Sequence, residues 1–538
     1  MTSTRAVLLS LGVTASLISA RPAAAATCES LSSINLPNVA ITLANTVDAG
    51  SFVQFPAGRG GAPAAPAAAP APAGRGGRGG APASPFADLP AFCRVQATLM
   101  PSRDSEIRME LWMPAAAAWN GKFRGTGNGG LGGGAAVNPG GLANSVRLGY
   151  AVAGNNTGHE GDSRYALDHP EKIKDFGYRS AHEMTVASKA LIRKFYEKDP
   201  AYSLMSEGGG GTIAALSSAQ RYPEDYDAIG VTGMSSYLTR HTFGQMWMWQ
   251  ATHKDAASYI PPDKYPVLHK AALDACDALD GLKDGVIGDV ARCKFDPGVT
   301  LCPSTGSGQA LSTADCLTAP QVEAARKIYA GPHNPRTGEE IYLPLYPGSE
   351  LGWAQLAGGD VPLGIPVEFF KFYVFRDATW DYKTRPLNFD SDVTASNRPE
   401  IQAVNAVDPD LSKFFARGGK VLLADGWSDA AVPPKVAINY YNAVVKKLGA
   451  KTVKESMRFF MVPGMGHGPG TAGAENFNFD ALALIEQWKE TGKAPDQLIV
   501  SHHKDGKEIG ARLVCQYPQV AIYKGSGNTE DPASYSCK

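Results

Sequence analysis

The sequence predicts an α/β fold, a mainly parallel sheet covered by helices on both faces and interrupted once by a long insert. Through residues 89–236, short apolar runs alternate with segments of helical period, the pattern of strands and helices taken in turn. From about 237 to 416 this alternation gives way to an irregular stretch rich in Pro, Gly, aromatics and half of the cysteines. It resumes at Lys420, where Val421-Leu422-Leu423 and later Phe459-Phe460-Met461-Val462 read as buried strands. The chain therefore divides into a first core part (89–236), one inserted lid domain (237–416) and a second core part (417–538).

Taken from the N-terminus, residues 1–26 read as a signal peptide. Arg5 precedes an apolar run over 6–18, and Ala24-Ala25-Ala26 offers a cleavage site after Ala26. Thr27, standing before Cys28, argues against a lipoprotein signal, and no other stretch is long and apolar enough to span a bilayer. The expectation is a secreted or periplasmic soluble protein. An N-terminal segment, 27–55, leads into 56–88, almost wholly Ala, Pro, Gly and Arg; such a composition buries no apolar surface and predicts a disordered loop. Its arginines Arg59, Arg75 and Arg78 belong to a solvated linker more readily than to a polyanion site. Strands are expected at 97–101 and 107–112, followed by Gly121-Lys122-Phe123-Arg124 entering a glycine-rich turn. A further strand is expected at 148–153, a helix at 181–196, a short strand at 202–205, and a helix at 212–220 ended by Pro223.

Length and charge bound the function. The 538 residues, 44% of them hydrophobic, suffice for one large core plus an insert, and a formal net charge of −1 gives no electrostatic case for nucleic acid or an anionic membrane surface. The eight cysteines form an even set without a close C-x-x-C pair, so four disulfides are expected in preference to a zinc site. Short separations suggest Cys276–Cys293, Cys302–Cys316 and Cys515–Cys537, leaving Cys28–Cys93.

Two motifs carry the most chemistry. Gly426-Trp427-Ser428-Asp429 and Gly464-Met465-Gly466-His467 each follow an apolar strand, so an Asp and then a His lie just past the carboxyl ends of consecutive strands. They fit the second and third members of a hydrolase triad, whose nucleophile precedes both on a sharp strand-to-helix turn in the α/β-hydrolase order. The acid fixes the imidazole tautomer, and the imidazole takes the proton of the nucleophile. A loop Asp near a helix start and a glycine-flanked loop His are the plainer alternative. Gly127-Asn128-Gly129-Gly130-Leu131-Gly132-Gly133-Gly134 could converge backbone N–H groups on an oxyanion; a flexible loop is the rival, and the lysine of a phosphate loop is missing. Asp277, Asp280 and Asp284, with the carbonyls of Leu282 and Val286, could wrap one Ca²⁺, and Cys276 and Cys293 bracket that loop. It is not an EF-hand, and a solvated acidic turn is the alternative. The aromatic runs 243–249 and 369–373 could wall an aromatic acyl pocket, although core packing explains such residues more often. Arg376 is placed in a surface salt bridge rather than on substrate.

Together these residues resemble the tannase/feruloyl esterase family, which also contains the mono(2-hydroxyethyl) terephthalate hydrolase. The likeness covers nearly the whole mature chain: the 127–130 loop, Asn156-Thr157-Gly158-His159-Glu160-Gly161, His169-Pro170-Glu171-Lys172, Asp175-Phe176-Gly177-Tyr178-Arg179, residues 219–225, the 277–287 loop, the two motifs above and Tyr517-Pro518-Gln519-Val520. It implies an α/β-hydrolase sheet, a large lid with a structural Ca²⁺, and hydrolysis of a small aromatic ester of gallate or ferulate type by a Ser-His-Asp mechanism. Asp429 matches the acid and His467 the base; Asp277, Asp280 and Asp284 match the metal ligands; Gly129 and Gly130 lie in the oxyanion loop. The nucleophile departs from the family's Gly-Cys-Ser-x-Gly-Gly. Here the region reads Met205-Ser206-Glu207-Gly208-Gly209-Gly210-Gly211, and a gap-free alignment puts Gly209 at the serine and Gly208 at the cysteine. The family partner of that cysteine falls on Gly468, so both halves of one bridge are missing together. A three-residue shift instead makes Ser206 the nucleophile and the Glu207 amide an oxyanion donor. Two readings follow: an aromatic-ester hydrolase with Ser206, His467 and Asp429, or a catalytically impaired homologue that binds aromatic esters or acids.

Overall fold

The structure, a computed structural model, describes residues 26–54, 84–127, 131, 137–303, 315–471 and 475–538. The expected signal peptide, most of the 56–88 loop, and Gly129 and Gly130 lie outside the described residues.

Nine strands form one sheet: β1 (Val39–Val47), β2 (Phe92–Leu99), β3 (Ile107–Pro114), β4 (Lys122–Gly125), β5 (Ala151–Asn155), β6 (Tyr202–Gly208), β7 (Ala228–Thr232), β8 (Lys420–Gly426) and β9 (Met457–Val462). Their order is β1-β2-β3-β5-β4-β6-β7-β8-β9. β1 to β3 and the β3–β5 pair run antiparallel, whereas β5, β4, β6, β7, β8 and β9 run parallel. β7 and β9 are buried at every residue, as parallel strands covered on both faces must be.

One face carries the larger core, where Met205, Ile229, Val231, Leu423 and Phe459 meet Met184, Leu191 and Leu216. The last three belong to the helices Ser180–Tyr196 and Thr212–Arg221. On the other face Leu204, Ala228, Leu422 and Phe460 pack on Leu482 and Ile485 of helix Ala481–Thr491. The Asp480 carboxylate caps that helix by accepting the Ala483 N–H, and Gly492 ends it in a left-handed conformation (φ 70°).

Several boundaries differ from expectation. β2 begins at Phe92 rather than 97, because the buried set Cys93, Val95, Ala97 and Leu99 alternates with Arg94, Gln96 and Thr98, and Phe92 packs on the opposite face with Trp112. β5 starts at Ala151, since Leu148 caps the helix Pro139–Arg147 and Gly149 (φ 82°) turns the chain into the strand. Between β7 and β8 helices alternate with long irregular stretches, and Leu238–Thr252, Tyr265–Cys276 and Ala319–Ala330 are the longest helices among the described residues there. The first of these buries polar residues (Thr239, His241, Thr242, Gln245, Thr252) along with apolar ones, so it shows no amphipathic period. Core packing accounts for the aromatic runs: Phe243, Phe369 and Phe370 are fully buried, and the rings of Phe243 and Phe370 meet edge-on at 4.8 Å. Arg376 pairs with Glu400 at 2.7 Å.

All eight cysteines are paired, as Cys28–Cys93, Cys276–Cys293, Cys302–Cys316 and Cys515–Cys537. No described helix is long and apolar enough to cross a membrane.

Candidate active site

The two motifs interlock at the carboxyl ends of β8 and β9. Trp427 N–H donates to Val462 O and Ser428 N–H to Met465 O, both at 3.0 Å. This backbone approach explains the glycine of the first motif, because a Cβ at Gly426 would lie 2.1 Å from Met465 O and 2.3 Å from Gly466 O. The result fixes Asp429 beneath His467. The carboxylate, with no exposed side-chain surface, accepts Ala431 N–H (2.8 Å) and Val432 N–H (3.0 Å) on Oδ1, and on Oδ2 accepts His467 Nδ1–H at 2.7 Å. With the proton held on Nδ1, the neutral imidazole presents its Nε2 lone pair as a base.

The electrostatics favour the charged imidazole. Burial pushes the His467 pKa down, but the Asp429 charge and hydrogen bond, with a further contribution from Asp425, outweigh it and raise the pKa to about 9. Asp425 lies wholly buried at the end of β8; burial, then the nearby Asp429, pushes its carboxyl up to about 8. It accepts the N–H groups of Met234 (3.2 Å) and Gly426 (3.0 Å), tying the turn after β7 to β8. His241 donates or accepts no charge here: burial, then the neighbouring His467, holds it near 4, and its Nε2–H donates to Ala431 O at 2.8 Å.

The strand-to-helix turn follows β6 at Gly209, not at Ser206. Gly209 has φ 54°, the left-handed conformation of a sharp elbow, and a short turn Gly209–Gly211 feeds the helix Thr212–Arg221. Thr212 Oγ1–H donates to Gly209 O at 2.6 Å and braces the turn. A Cβ at Gly209 would stand 3.0 Å from His467 Nε2, so this residue occupies the place in front of the base. Cβ atoms at Gly208 and Gly468 would each lie near Thr232 Oγ1, at 3.0 and 3.6 Å. The two positions of the missing bridge are thus neighbours, which agrees with the gap-free alignment.

Ser206 is therefore not brought to the base. It sits inside β6 opposite Gly230, on the sheet face of Leu204, and its Oγ lies 2.7 Å from where a Gly230 Cβ would be. Glu207 is likewise a strand residue, paired with Val231, so the amide following the elbow belongs to Gly210 instead. The Glu207 carboxyl reaches the glycine-rich loop: it accepts the Gly127 N–H and lies against Gly211, with burial pushing its pKa up and the Gly127 hydrogen bond opposing. The physical reason for both corrections is strand length, since β6 runs three residues beyond the apolar stretch that marks it in sequence.

The sequence reading missed two supports. His159, buried and held near pKa 4 by burial, bonds Leu131 O through Nε2 (2.9 Å) and Thr157 Oγ1 through Nδ1 (3.2 Å), anchoring the glycine-rich loop. Its place in the Asn156–Gly161 motif was the available signal. Ser235, just past β7, has its Oγ 3.4 Å from His467 Nε2, and nothing in its local sequence marks it.

The acidic loop buttresses this region. Val286 and Ile287 are buried, and a Cβ at Gly464 would touch Val286 at 3.2 Å. The donor set suits a hard cation, and here each carboxylate is engaged by N–H groups of the loop or by Arg512. Asp277 accepts Asp284 N–H (3.2 Å) and Gly285 N–H (3.0 Å), Asp280 accepts Leu282 N–H (3.0 Å), and Asp284 accepts Val286 N–H (3.2 Å) and pairs with Arg512 at 2.6 Å. Among the described residues no three His, Cys, Asp or Glu side chains form a group able to hold a metal ion.

A mainly parallel sheet with an Asp–His pair past two neighbouring strand ends, facing a left-handed elbow, is the arrangement of an α/β hydrolase. The chain belongs to the tannase and feruloyl esterase family, which it matches over residues 93–538. An uncharacterized esterase of Xanthomonas campestris pv. campestris is 34% identical over 99% of this chain and 94% of its own. A probable feruloyl esterase B-1 of Neosartorya fischeri is 30% identical over 83% of this chain and 86% of its own. The crystal structure of feruloyl esterase B from Aspergillus oryzae superposes with a TM-score of 0.81 at 26% identity, covering 95% of this chain and 99% of that one.

Proposed function

We propose that the protein is a secreted hydrolase of aromatic carboxylic esters, of gallate or ferulate type, in which His467 and Asp429 supply the base and its orienting acid. The observation that carries this reading is the 2.7 Å bond from His467 Nδ1–H to fully buried Asp429, with Nε2 turned toward the elbow. The feruloyl esterases among its relatives support an aromatic acyl group. With Gly209 at the elbow, Nε2 serves as base for a hydroxyl or water other than an elbow serine, and Gly210 N–H with the glycine-rich loop around Gly130 would receive the oxyanion. The test is hydrolysis of methyl ferulate and methyl gallate by the mature protein. His467→Ala should abolish it, and an unchanged rate in that variant would refute the role of the base.

Gly209 also favours a second reading, an impaired homologue that binds aromatic esters without turning them over. Saturable quenching of tryptophan fluorescence by methyl ferulate, with no acid released over hours, would establish it.

Secretion is supported by the N-terminal pattern of residues 1–26 and by the complete pairing of cysteines. N-terminal sequencing of the exported protein should begin at Thr27. A structural calcium ion held by Asp277, Asp280 and Asp284 with the Leu282 and Val286 carbonyls rests on donor chemistry alone, and would require Arg512 to release Asp284.

A further inference from the structure

We propose that Ser235 is the nucleophile of this site. The proposal deepens the esterase reading above and rests on it.

His467 Nε2 has a hydroxyl partner, but the hydroxyl comes from the strand next to the usual one. Ser235 Oγ lies 3.4 Å from Nε2, longer than a mature O–H···N bond and in the range found before substrate tightens a catalytic contact. Its alternative acceptor, Gly233 O, is equally distant at 3.4 Å, so the hydroxyl is not committed elsewhere. The backbone that carries it is held on both sides. Met234 N–H donates to Asp425 Oδ2 at 3.2 Å, and Ser235 N–H donates to Thr212 Oγ1 at 3.1 Å. Thr212 in turn braces the elbow and accepts Ser236 Oγ–H at 3.0 Å. Gly233, with φ 57°, makes the sharp turn that brings the serine back over the strand end, and a Cβ there would press on His467 at about 3.0 Å. The turn after β7 therefore combines a strand end and a left-handed glycine with a serine two residues on that faces the base.

Ser235 is only 4% exposed, and the missing side chain at Gly209 is what leaves room beside Nε2 for an ester to approach it. His467 keeps 31% of its side chain open to solvent. In the reaction, His467 Nε2 takes the Ser235 hydroxyl proton as Oγ bonds to the ester carbonyl carbon. Collapse of the tetrahedral intermediate breaks the bond to the alcohol oxygen, which leaves with the proton from Nε2. Water then gives a proton to His467 and attacks the acyl-Ser235, releasing the carboxylic acid and returning the proton to Oγ.

The experiment uses the full mature protein with 4-nitrophenyl benzoate as substrate and a fluorophosphonate as trap, read by peptide mass spectrometry. The expected result is measurable hydrolysis, an adduct on the peptide carrying Ser235, and at least a 100-fold loss of both rate and labelling in Ser235→Ala. Ser235→Cys should retain a thiol-reactive acyl intermediate, which a misfolded variant would not. If the wild type hydrolyses the ester but labels elsewhere or not at all, or if Ser235→Ala keeps its rate, Ser235 is not the nucleophile and the esterase reading survives, with the labelled residue or, where nothing is labelled, water as the attacking species. If the wild type shows neither turnover nor adduct, both readings fall. Turnover gained by Gly209→Ser would then locate the defect at the elbow.

Discussion

Replacing Asp429 by Asn isolates the electrostatic contribution of the acid. The amide is isosteric and can still accept the Ala431 and Val432 N–H groups, so the loop should hold its shape. What it loses is the charge that lifts His467 from 6.5 to about 9. At ~1.4 kcal/mol per tenfold, that lift corresponds to on the order of 3 kcal/mol, less some screening because 31% of the His467 side chain is open to water. The sign follows from a folded-state value above the unfolded one. The stabilisation is complete below pH 6.5, declines as the unfolded chain releases its proton first, and is gone above about pH 9. In the variant, burial is opposed only by Asp425, so the imidazole should titrate well below 9 and the stability should lose this slope. NMR titration of the His467 ring in both proteins reads the shift directly, and urea unfolding between pH 6 and pH 10 reads the linkage. The free wild-type enzyme should show kcat/KM rising toward an apparent value near 9, because only neutral His467 is a base. The variant should lose about 10⁴-fold in rate, the amide favouring the wrong tautomer. An Asn variant whose His467 still titrates near 9 would refute the assignment of Asp429 as the dominant charge.

Ser206→Ala should leave ester turnover within about twofold, since Ser206 is a strand residue away from the base; a loss comparable to His467→Ala, on the order of 10³-fold or more, would overturn the elbow assignment. Chelation with EDTA should lower the melting temperature if the acidic loop holds calcium, with Asp280→Ala reproducing the effect, whereas coincident melting curves would reject the ion. The double variant Cys28→Ala/Cys93→Ala should cost about 4 kcal/mol in urea unfolding, from the chain entropy of a bridge spanning 65 residues. His159→Ala should raise KM for aromatic esters more than it lowers kcat, because it frees Leu131 and the glycine-rich loop without touching Asp429.

What could be read from sequence tracks how local its cause is. Val421-Leu422-Leu423 and Phe459-Phe460-Met461-Val462 announce themselves as covered parallel strands, and the residues just beyond them, Asp429 and His467, follow by position alone. Short loops made three of the cysteine pairs legible for the same reason, and Cys28–Cys93, 65 residues apart, was the remainder. Ser206 misled because β6 continues through Ser206-Glu207-Gly208, where hydrogen bonding to β7 rather than side-chain character keeps the chain extended. Nothing along the chain could reveal Ser235: its relation to His467 arises from two turns that only the folded sheet sets side by side. The helix Leu238–Thr252 was illegible for a third reason, burial of polar and apolar residues alike around most of its surface, which erases the periodicity by which surface helices are recognised.

Gly208 and Gly468 meet across Thr232 Oγ1 without a covalent link, while the four disulfides join other parts of the chain. The spacing between elbow and base is therefore set by packing and hydrogen bonds alone. A mild reductant has no bond to cut between the two halves of the site, and the working geometry should outlast reduction of any exposed bridge. A cystine at these two positions would have tied the His467 loop to the elbow covalently; here only packing around Thr232 does so.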